Sequence, residues 1–216
     1  MTTWLTVLTP NQRRPDVNTD LADAGRLHHR IMTLFPQGLG AQPRAAGCVL
    51  FRLDEDPRGI SILVQSSIEP DHELLPDGYA HSVTRTLEPL LNALRPGLPV
   101  RYRITANATR KLGHNTQQGK PLTVIPLHGP DAEAWWARKA TEAGLQPRLI
   151  TTLPLDPAHG QRNSPGKKRQ TLLHARTRFD GTALITDPDL LRTALTTGIG
   201  RGKPYGCGLL TIAPAR

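Results

Sequence analysis

Apolar and polar residues along the chain repeat at two alternating periods, that of a strand and that of a helix. In the first half, β-branched and alternating runs predict three strands, at Thr3–Thr9, Cys48–Leu53 and Ile60–Ser66. A helix is predicted between the first two, from Asn18 or Thr19 to about Phe35, because Leu27, Ile31 and Leu34 recur at helical spacing. Pro70–Leu94 has helically spaced leucines interrupted by prolines, so it is either a second helix or an irregular segment.

The same succession begins again after Arg95–Pro99, a segment rich in Pro and Gly that we interpret as a hinge. One helix is predicted over Pro130–Ala143, with Gly144 as its stop, and another from Asp187 or Pro188 to Thr197. Around these helices, alternating patterns predict strands at Val100–Ala106, Leu149–Leu155, Gln170–Phe179, Thr182–Thr186 and Leu209–Ala213.

Each half therefore reads strand, helix, strand, strand, then a helix or irregular segment and a further strand. This is the split βαβ pattern of ferredoxin-like folds. We predict an α+β protein with two tandem ferredoxin-like βαββαβ domains, residues 1–94 and residues 100–216. RNA-recognition modules share this topology and bind RNA on the sheet.

The net charge of the chain indicates what kind of partner it binds. The 216 residues carry a net charge of +9, which favours a polyanion. The two cysteines, Cys48 and Cys207, lie far apart and suit a reducing cytoplasm better than a disulfide framework. No apolar run approaches the ~20 residues that a membrane span needs. Neither the cysteines nor the scattered acids and histidines have metal-ligand spacing, so we expect no metal and no cofactor.

A glycine-rich segment near the C-terminus, Gly198–Leu210, contains five glycines together with two cations. Bare backbone of this kind can take up positive φ angles, and its amides can bind a phosphate. A flexible hairpin tip is the alternative interpretation. Lys203 is followed by Pro204 and then by a predicted strand, which excludes a nucleotide-binding P-loop and a dinucleotide fingerprint. The residues proposed to bind RNA here are Gly200, Arg201 and Gly202, and Lys203 is a candidate catalytic residue that stabilises the extra charge on the phosphate.

Further cations cluster in loops and on strand faces, where they favour phosphate contacts, although a solvated surface explains each cluster taken alone. The predicted loop 162–169 carries four cations and no acid. On the strand that follows, polar side chains alternate with apolar ones, which places them on one face. The candidate RNA-binding residues outside the glycine-rich segment are Arg103, Arg110, Lys111, Arg162, Lys167, Lys168, Arg169, His174, Arg176 and Arg178.

Two adjacent histidines, His28 and His29, lie within the first predicted helix. Adjacent helical residues point about 100° apart, so the two imidazoles cannot easily flank one phosphate. His28 shares a face with Ala24 and Gly25, small residues that leave space beside its ring, whereas His29 is expected to face solvent. Because an imidazole exchanges protons near neutral pH, His28 is the candidate catalytic residue. RNA supplies its own nucleophile, the 2′-OH, so such a site needs no metal.

Three stretches resemble the CasE-type CRISPR repeat-RNA endoribonucleases, which are subunits of the Cascade complex. They are Leu27-His28 with the Leu34-Phe35-Pro36 that follows, Arg103-Ile-Thr-Ala-Asn107, and the glycine-rich segment Gly198–Leu210. The resemblance implies tandem ferredoxin-like domains and metal-independent cleavage at the base of a repeat stem-loop, leaving a 2′,3′-cyclic phosphate and a 5′-hydroxyl. It also implies that other Cascade subunits are partners.

The resemblance places the family's catalytic histidine on His28, its glycine-loop lysine on Lys203 and its groove-binding basic hairpin on residues 162–169. Family members carry a tyrosine at the position of Gly25, so the second proton-transfer group is open among Arg26, Tyr205, Lys203 and water. Two other functions stay open: a non-catalytic RNA-binding subunit of the same fold, and a DNA-binding protein that ignores the 2′-OH.

Overall fold

Ten strands form the framework of the computed structural model, which describes residues 2–57, 59–113, 124–162 and 170–215, with backbone alone for 160–162 and 170–173. In chain order the strands are β1 (Trp4–Pro10), β2 (Leu50–Asp56), β3 (Gly59–Ser66), β4 (Ala80–Thr86), β5 (Pro99–Ala106), β6 (Thr109–Lys111), β7 (Val124–Pro126), β8 (Leu145–Arg162), β9 (Gln170–Ile185) and β10 (Leu210–Pro214). The first antiparallel sheet has the order β2-β3-β1-β4 and the second the order β10-β5-β9-β8. Strands β6 and β7 pair with each other.

Within each sheet the last strand lies beside the first, and the first beside the third, which is the ferredoxin-like arrangement. The predicted fold class, α+β with two tandem ferredoxin-like units, is therefore confirmed. The helices are α1 (Pro15–Ala22), α2 (Ala24–Met32), α3 (Pro43–Ala46), α4 (Glu88–Ala93), α5 (Gly129–Glu142) and α6 (Pro188–Thr197), with short 3₁₀ helices at His72–Leu74 and Lys203–Tyr205. In the described ranges, none of these helices is long and apolar enough to cross a lipid bilayer.

The single helix predicted up to Phe35 is wrong, because the segment forms two helices. Pro15 begins α1, where its missing N–H costs nothing. The chain then breaks at Asp23, whose backbone is extended and whose carboxylate accepts hydrogen bonds from the backbone N–H groups of Gly25 (2.8 Å) and Arg26 (2.9 Å). This N-cap starts α2 in a new direction.

The two strands predicted on either side of Gly181 form one strand, β9, so the predicted break is also wrong. Gly181 is there because its neighbours approach too closely for a side chain. A Cβ atom at this position would lie 1.9 Å from the carbonyl oxygen of Leu149 and 2.6 Å from the hydroxyl of Tyr102. The glycine therefore allows β8 and β9 to pair without interruption at this point.

Each sheet packs its helices around a core of its own. Leu27, Ile31 and Phe51 belong to the core of the first sheet, and Trp136 and Phe179 to that of the second. Trp135 and Trp136 of α5 are both buried. Leucines of α4 and the residue after it, Leu91 and Leu94, also pack in the second core. The division at residues 94 and 100 stays a prediction.

Buried polar side chains join the two units. Gln65 of β3 is buried, and its amide donates to the carbonyl oxygen of Leu195 at 2.7 Å, which satisfies an acceptor in the last turn of α6. Arg52 of β2 is 2% exposed and reaches the second sheet. These contacts place α2 and β2 against β8 and the glycine-rich segment.

Candidate active site

Helix α2 carries His28 at the junction between the two units. Leu27 and Ile31 are buried in the first core and fix the rotation of the helix. That rotation lays the imidazole of His28 on the ring of Phe51, with centroids 6.3 Å apart and ring planes 21° apart. His29 is exposed, as predicted.

The imidazole of His28 lies in a poorly solvated position. Its Nδ1 is buried and has no hydrogen-bond partner among the described residues. Burial lowers the pKa of His28 to about 4, and the positive charges of Arg44 and His29 contribute further lowering. In the protein without ligand the ring is therefore neutral near pH 7 and can accept a proton.

The glycine-rich segment forms a hydrogen-bonded turn, not a free hairpin tip. The N–H of Ile199 donates to the carbonyl of Gly208 (2.9 Å), and the N–H of Gly208 donates to that of Thr105 at the end of β5 (2.8 Å). Gly202 has a φ of 76° and a left-handed conformation, which starts the 3₁₀ helix Lys203–Tyr205. This short helix contacts both α2 and β2, so the turn packs against the helix that carries His28.

Lys203 and Arg44 bring positive charge to the same place. The Nζ of Lys203 donates to the carbonyl oxygen of Thr197 at 2.7 Å. Burial and then Arg44 lower the pKa of Lys203, and the same arginine lowers the pKa of His28. Arg44 lies on α3, where its Nη1 donates to the carbonyl oxygen of Val49 at 3.1 Å. Arg44 therefore lies near both His28 and Lys203.

Arg44 is the residue of this group that the sequence analysis missed. It follows Pro43 in a segment rich in glycine and proline, where no periodicity or motif marks a side chain as functional. The available signal was its position shortly before β2, the strand that carries Phe51.

A second group surrounds Tyr205. Its ring stacks on His174 of β9, with centroids 4.5 Å apart and planes 22° apart. The amide of Asn107 lies 3.5 Å from Nδ1 of His174, and the backbone of Asn107 forms an isolated β-bridge with Arg201. Burial and then Arg201 lower the pKa of His174. Thus the end of the Arg103–Asn107 stretch meets the glycine-rich segment in space.

The remaining predicted RNA-binding residues take different positions. Arg103 of β5 and Arg178 of β9 both form ion pairs with Asp180 of β9, at 2.5 and 2.8 Å, within the second sheet. Arg110 and Lys111 are exposed on β6 and line a separate depression with Trp135. A Cβ atom on Gly200 would lie 3.4 Å from Trp135, so this depression borders the glycine-rich segment. The structure describes only the backbone of Arg162. Three further predicted residues lie outside the described ranges: Lys167, Lys168 and Arg169.

Comparisons with known proteins show the family to which the chain belongs. A family model described as "CRISPR associated protein" matches residues 3–214. The chain belongs to this family. Two relatives of the chain are the CRISPR-associated endoribonuclease Cse3 of Thermus thermophilus, 29% identical over 98% of this chain and 100% of the relative, and the Cascade subunit CasE of Escherichia coli K12, 27% identical over 89% and 92%.

Solved structures of family members have the same fold. The structure of Cse3 bound to a 19-nucleotide RNA superposes with a TM-score of 0.82 at 26% identity, covering 98% of this chain and 100% of the other. A chain of a CRISPR RNA-guided surveillance complex in a pre-nicking state superposes with a TM-score of 0.68 at 34% identity, with the same coverage.

Proposed function

We propose that this protein is an endoribonuclease that cleaves CRISPR precursor RNA at the repeat stem-loop, without a metal ion, to give guide RNA. The observation that carries the proposal is a neutral, partly buried His28 on a helix that contacts the glycine-rich turn, with Arg44 near both His28 and Lys203. The names of Cse3, an endoribonuclease, and of CasE, a Cascade subunit, support it. So does the net charge of +9, which suits a polyanionic substrate.

In the proposed reaction, the neutral imidazole of His28 takes the proton of the ribose 2′-OH. The 2′-oxygen attacks the adjacent phosphorus, and the bond from phosphorus to the 5′-oxygen breaks. The products are a 2′,3′-cyclic phosphate and, once the leaving oxygen has gained a proton, a 5′-hydroxyl. Arg44 and Lys203 would stabilise the negative charge that develops on the phosphate, which is the usual role of cations in a poorly solvated site.

The structure favours Lys203 over Arg26 as the donor of that second proton. Arg26 is mostly exposed and turns towards Asp20, at 3.5 Å. Lys203 is partly buried, and its lowered pKa makes its ammonium group a better acid than an ordinary lysine. Tyr205 stacks on His174 in the neighbouring group. Gly25 stands where family members have a tyrosine. We propose that Lys203 supplies the proton in place of that tyrosine.

The proposal also covers what happens after cleavage. The protein would stay bound to the stem of its product, in the cytoplasm, as a subunit of the interference complex. The name of CasE, a Cascade subunit, supports membership in such a complex. The exposed cations around the glycine-rich turn and on β6 provide surface for such retention. The basic segment 162–169 would add to it.

The decisive experiment measures single-turnover cleavage of a repeat hairpin in excess EDTA. We expect cleavage to persist in EDTA and to fall by about 100- to 10,000-fold in His28→Ala, which removes the proton acceptor. His29→Ala, the exposed neighbour, serves as the matched control and should retain the wild-type rate. Loss of activity in EDTA, or an unchanged rate in His28→Ala, would refute the mechanism.

A non-catalytic RNA-binding subunit is the second candidate, favoured by the absence of the family tyrosine at Gly25. It predicts tight binding of the hairpin with no cleavage by the wild-type protein. A hairpin with 2′-deoxyribose at the cut site separates these functions from DNA binding. Under our proposal this substitution blocks cleavage and leaves binding intact.

A further inference from the structure

A cleft between the two units opens next to the candidate active site. Its main cavity has a volume of about 360 Å³ and lies between α2 and β2 on one side and β8, β9 and the 3₁₀ helix on the other. Leu27, Phe51 and Pro157 give it apolar walls, and Tyr205 lies at one end. The space is sufficient for one nucleobase with its ribose, and the walls combine these apolar side chains with at least as much polar surface, which includes His159 and Arg176.

Two carboxylates mark the polar side of this cleft. Glu55 and Asp156 both line it at its solvent-exposed rim, and neither carboxylate has a hydrogen-bond or ion-pair partner among the described residues. Arg176 lies beside them, with its Nε held by the main-chain carbonyl oxygen of Asp156 at 2.8 Å. The same three residues line an adjoining cavity of about 240 Å³, so the cleft continues past them.

The two carboxylates disfavour phosphate as the occupant, since like charges in close contact repel. They accept hydrogen bonds and cannot donate them when ionised, so the matching ligand presents N–H groups. Guanine carries adjacent N1–H and N2–H₂ donors on its Watson–Crick edge, which fit the two oxygens of one carboxylate. Its O6 and N7 atoms are acceptors, for which arginine is the usual partner.

We infer that this cleft binds a guanine base that is turned out of the RNA stack next to the cleaved bond. Phe51 lines the cleft and also carries the His28 ring on its face, so the occupant lies one side chain away from the proposed proton acceptor. The inference deepens the proposed function and rests on it. Recognition of single, unstacked bases on their Watson–Crick edge is the usual way in which proteins read RNA sequence.

The experiment replaces each guanosine of a repeat hairpin in turn by inosine, which lacks only the N2 amino group. Both single-turnover cleavage and equilibrium binding are measured, with wild-type protein and with Glu55→Gln and Asp156→Asn. At one position we expect inosine to reduce cleavage or binding by wild type about 10- to 100-fold. That penalty should vanish in at least one of the two variants, because the carboxylate that discriminates is gone. The control variant Glu69→Gln changes an exposed acid that does not line the cleft, and it should keep the inosine penalty.

A wild-type protein that shows no such position, or variants that keep the full inosine penalty, would overturn the inference. These outcomes are separate from failure of the nuclease proposal. If the protein binds the hairpin and never cuts it, the inosine penalty in binding still decides for or against the guanine site.

Discussion

Arg52 and Arg103 lie on different sheets, and Nη1 of Arg52 donates to the main-chain carbonyl oxygen of Arg103 at 3.0 Å. The same nitrogen also donates to the carbonyl oxygen of Leu209 (3.2 Å) and to Oγ1 of Thr211 (3.0 Å). On its own strand, Arg52 forms a bidentate pair with Asp54, both bonds at 2.8 Å. One buried guanidinium therefore connects the first sheet to two strands of the second.

Replacement of this arginine should destabilise the protein strongly. In Arg52→Leu the carboxylate of Asp54 and the carbonyl oxygens of the second sheet lose a buried partner, and breaking such a group typically costs about 3–5 kcal/mol. The free energy of unfolding from urea denaturation checks this. Arg101→Leu, on an exposed position of β5, should change it by less than about 0.5 kcal/mol. Equal effects of the two substitutions would contradict the structural role of Arg52.

The lowered pKa of His28 predicts a specific dependence of stability on pH. The folded-state pKa is about 4, below the usual 6.5, so between these values the unfolded chain binds more protons. Stability that depends on neutral His28 is complete above about pH 6.5 and is lost as the pH falls towards 4. Over this window the free energy of unfolding of the wild type should fall by up to about 3 kcal/mol more than that of the His28→Asn variant. Urea denaturation at pH 4.5 and 7.5 measures the difference, and parallel pH profiles of the two proteins would contradict it.

Arg44 should influence both the acidity of His28 and the reaction. In Arg44→Ala the nearby positive charge is gone, so the pKa of His28 should rise in an NMR titration. Cleavage should fall by about 100-fold, because the phosphate loses one stabilising donor. Arg148→Ala, an exposed arginine on β8, is the matched control and should change neither quantity. A cleavage defect with an unmoved pKa would place Arg44 away from His28.

The glycine-rich turn should not tolerate a side chain at Gly208. A Cβ atom there would lie 2.7 Å from the carbonyl oxygen of Ile199, which is part of the turn itself. Gly40 has a similar positive φ, 81° against 91°, and no atom within 4 Å of its Cβ position, so it controls for backbone strain alone. We expect Gly208→Ala to cost about 1–3 kcal/mol more than Gly40→Ala and to impair cleavage selectively. Thermal unfolding and single-turnover rates test both points.

The order of elements and the candidate histidine could be predicted from local patterns. Leu27 and Ile31 at helical spacing identify the buried face of α2, and that face determines on which side His28 lies. The break between α1 and α2 could not be predicted so readily, since Asp23 reads equally well as an exposed helical residue. Only its carboxylate, bound to the N–H groups of Gly25 and Arg26, shows that it is a cap.

Long-range contacts explain the other differences. In the sequence, Gly181 after Asp180 resembles a turn signal. In the structure, a glycine is needed at this position because Tyr102 and Leu149 of the neighbouring strands lie too close to leave room for a side chain. Arg44 becomes part of the site because α3 packs near the glycine-rich turn, which lies at the far end of the sequence. Such encounters depend on tertiary packing, and no pattern within a short window reports them.

The packing of α4 has a practical consequence for dividing the molecule. Its residue Leu91 and the following Leu94 complete the hydrophobic core beneath β5 and β9, although both precede the first strand of that sheet. A C-terminal fragment expressed from residue 100 would therefore expose the apolar surface that these leucines cover, and it would be prone to aggregate. A fragment that starts before Leu87 retains this covering helix, and it is the one to use for isolated folding or RNA-binding studies.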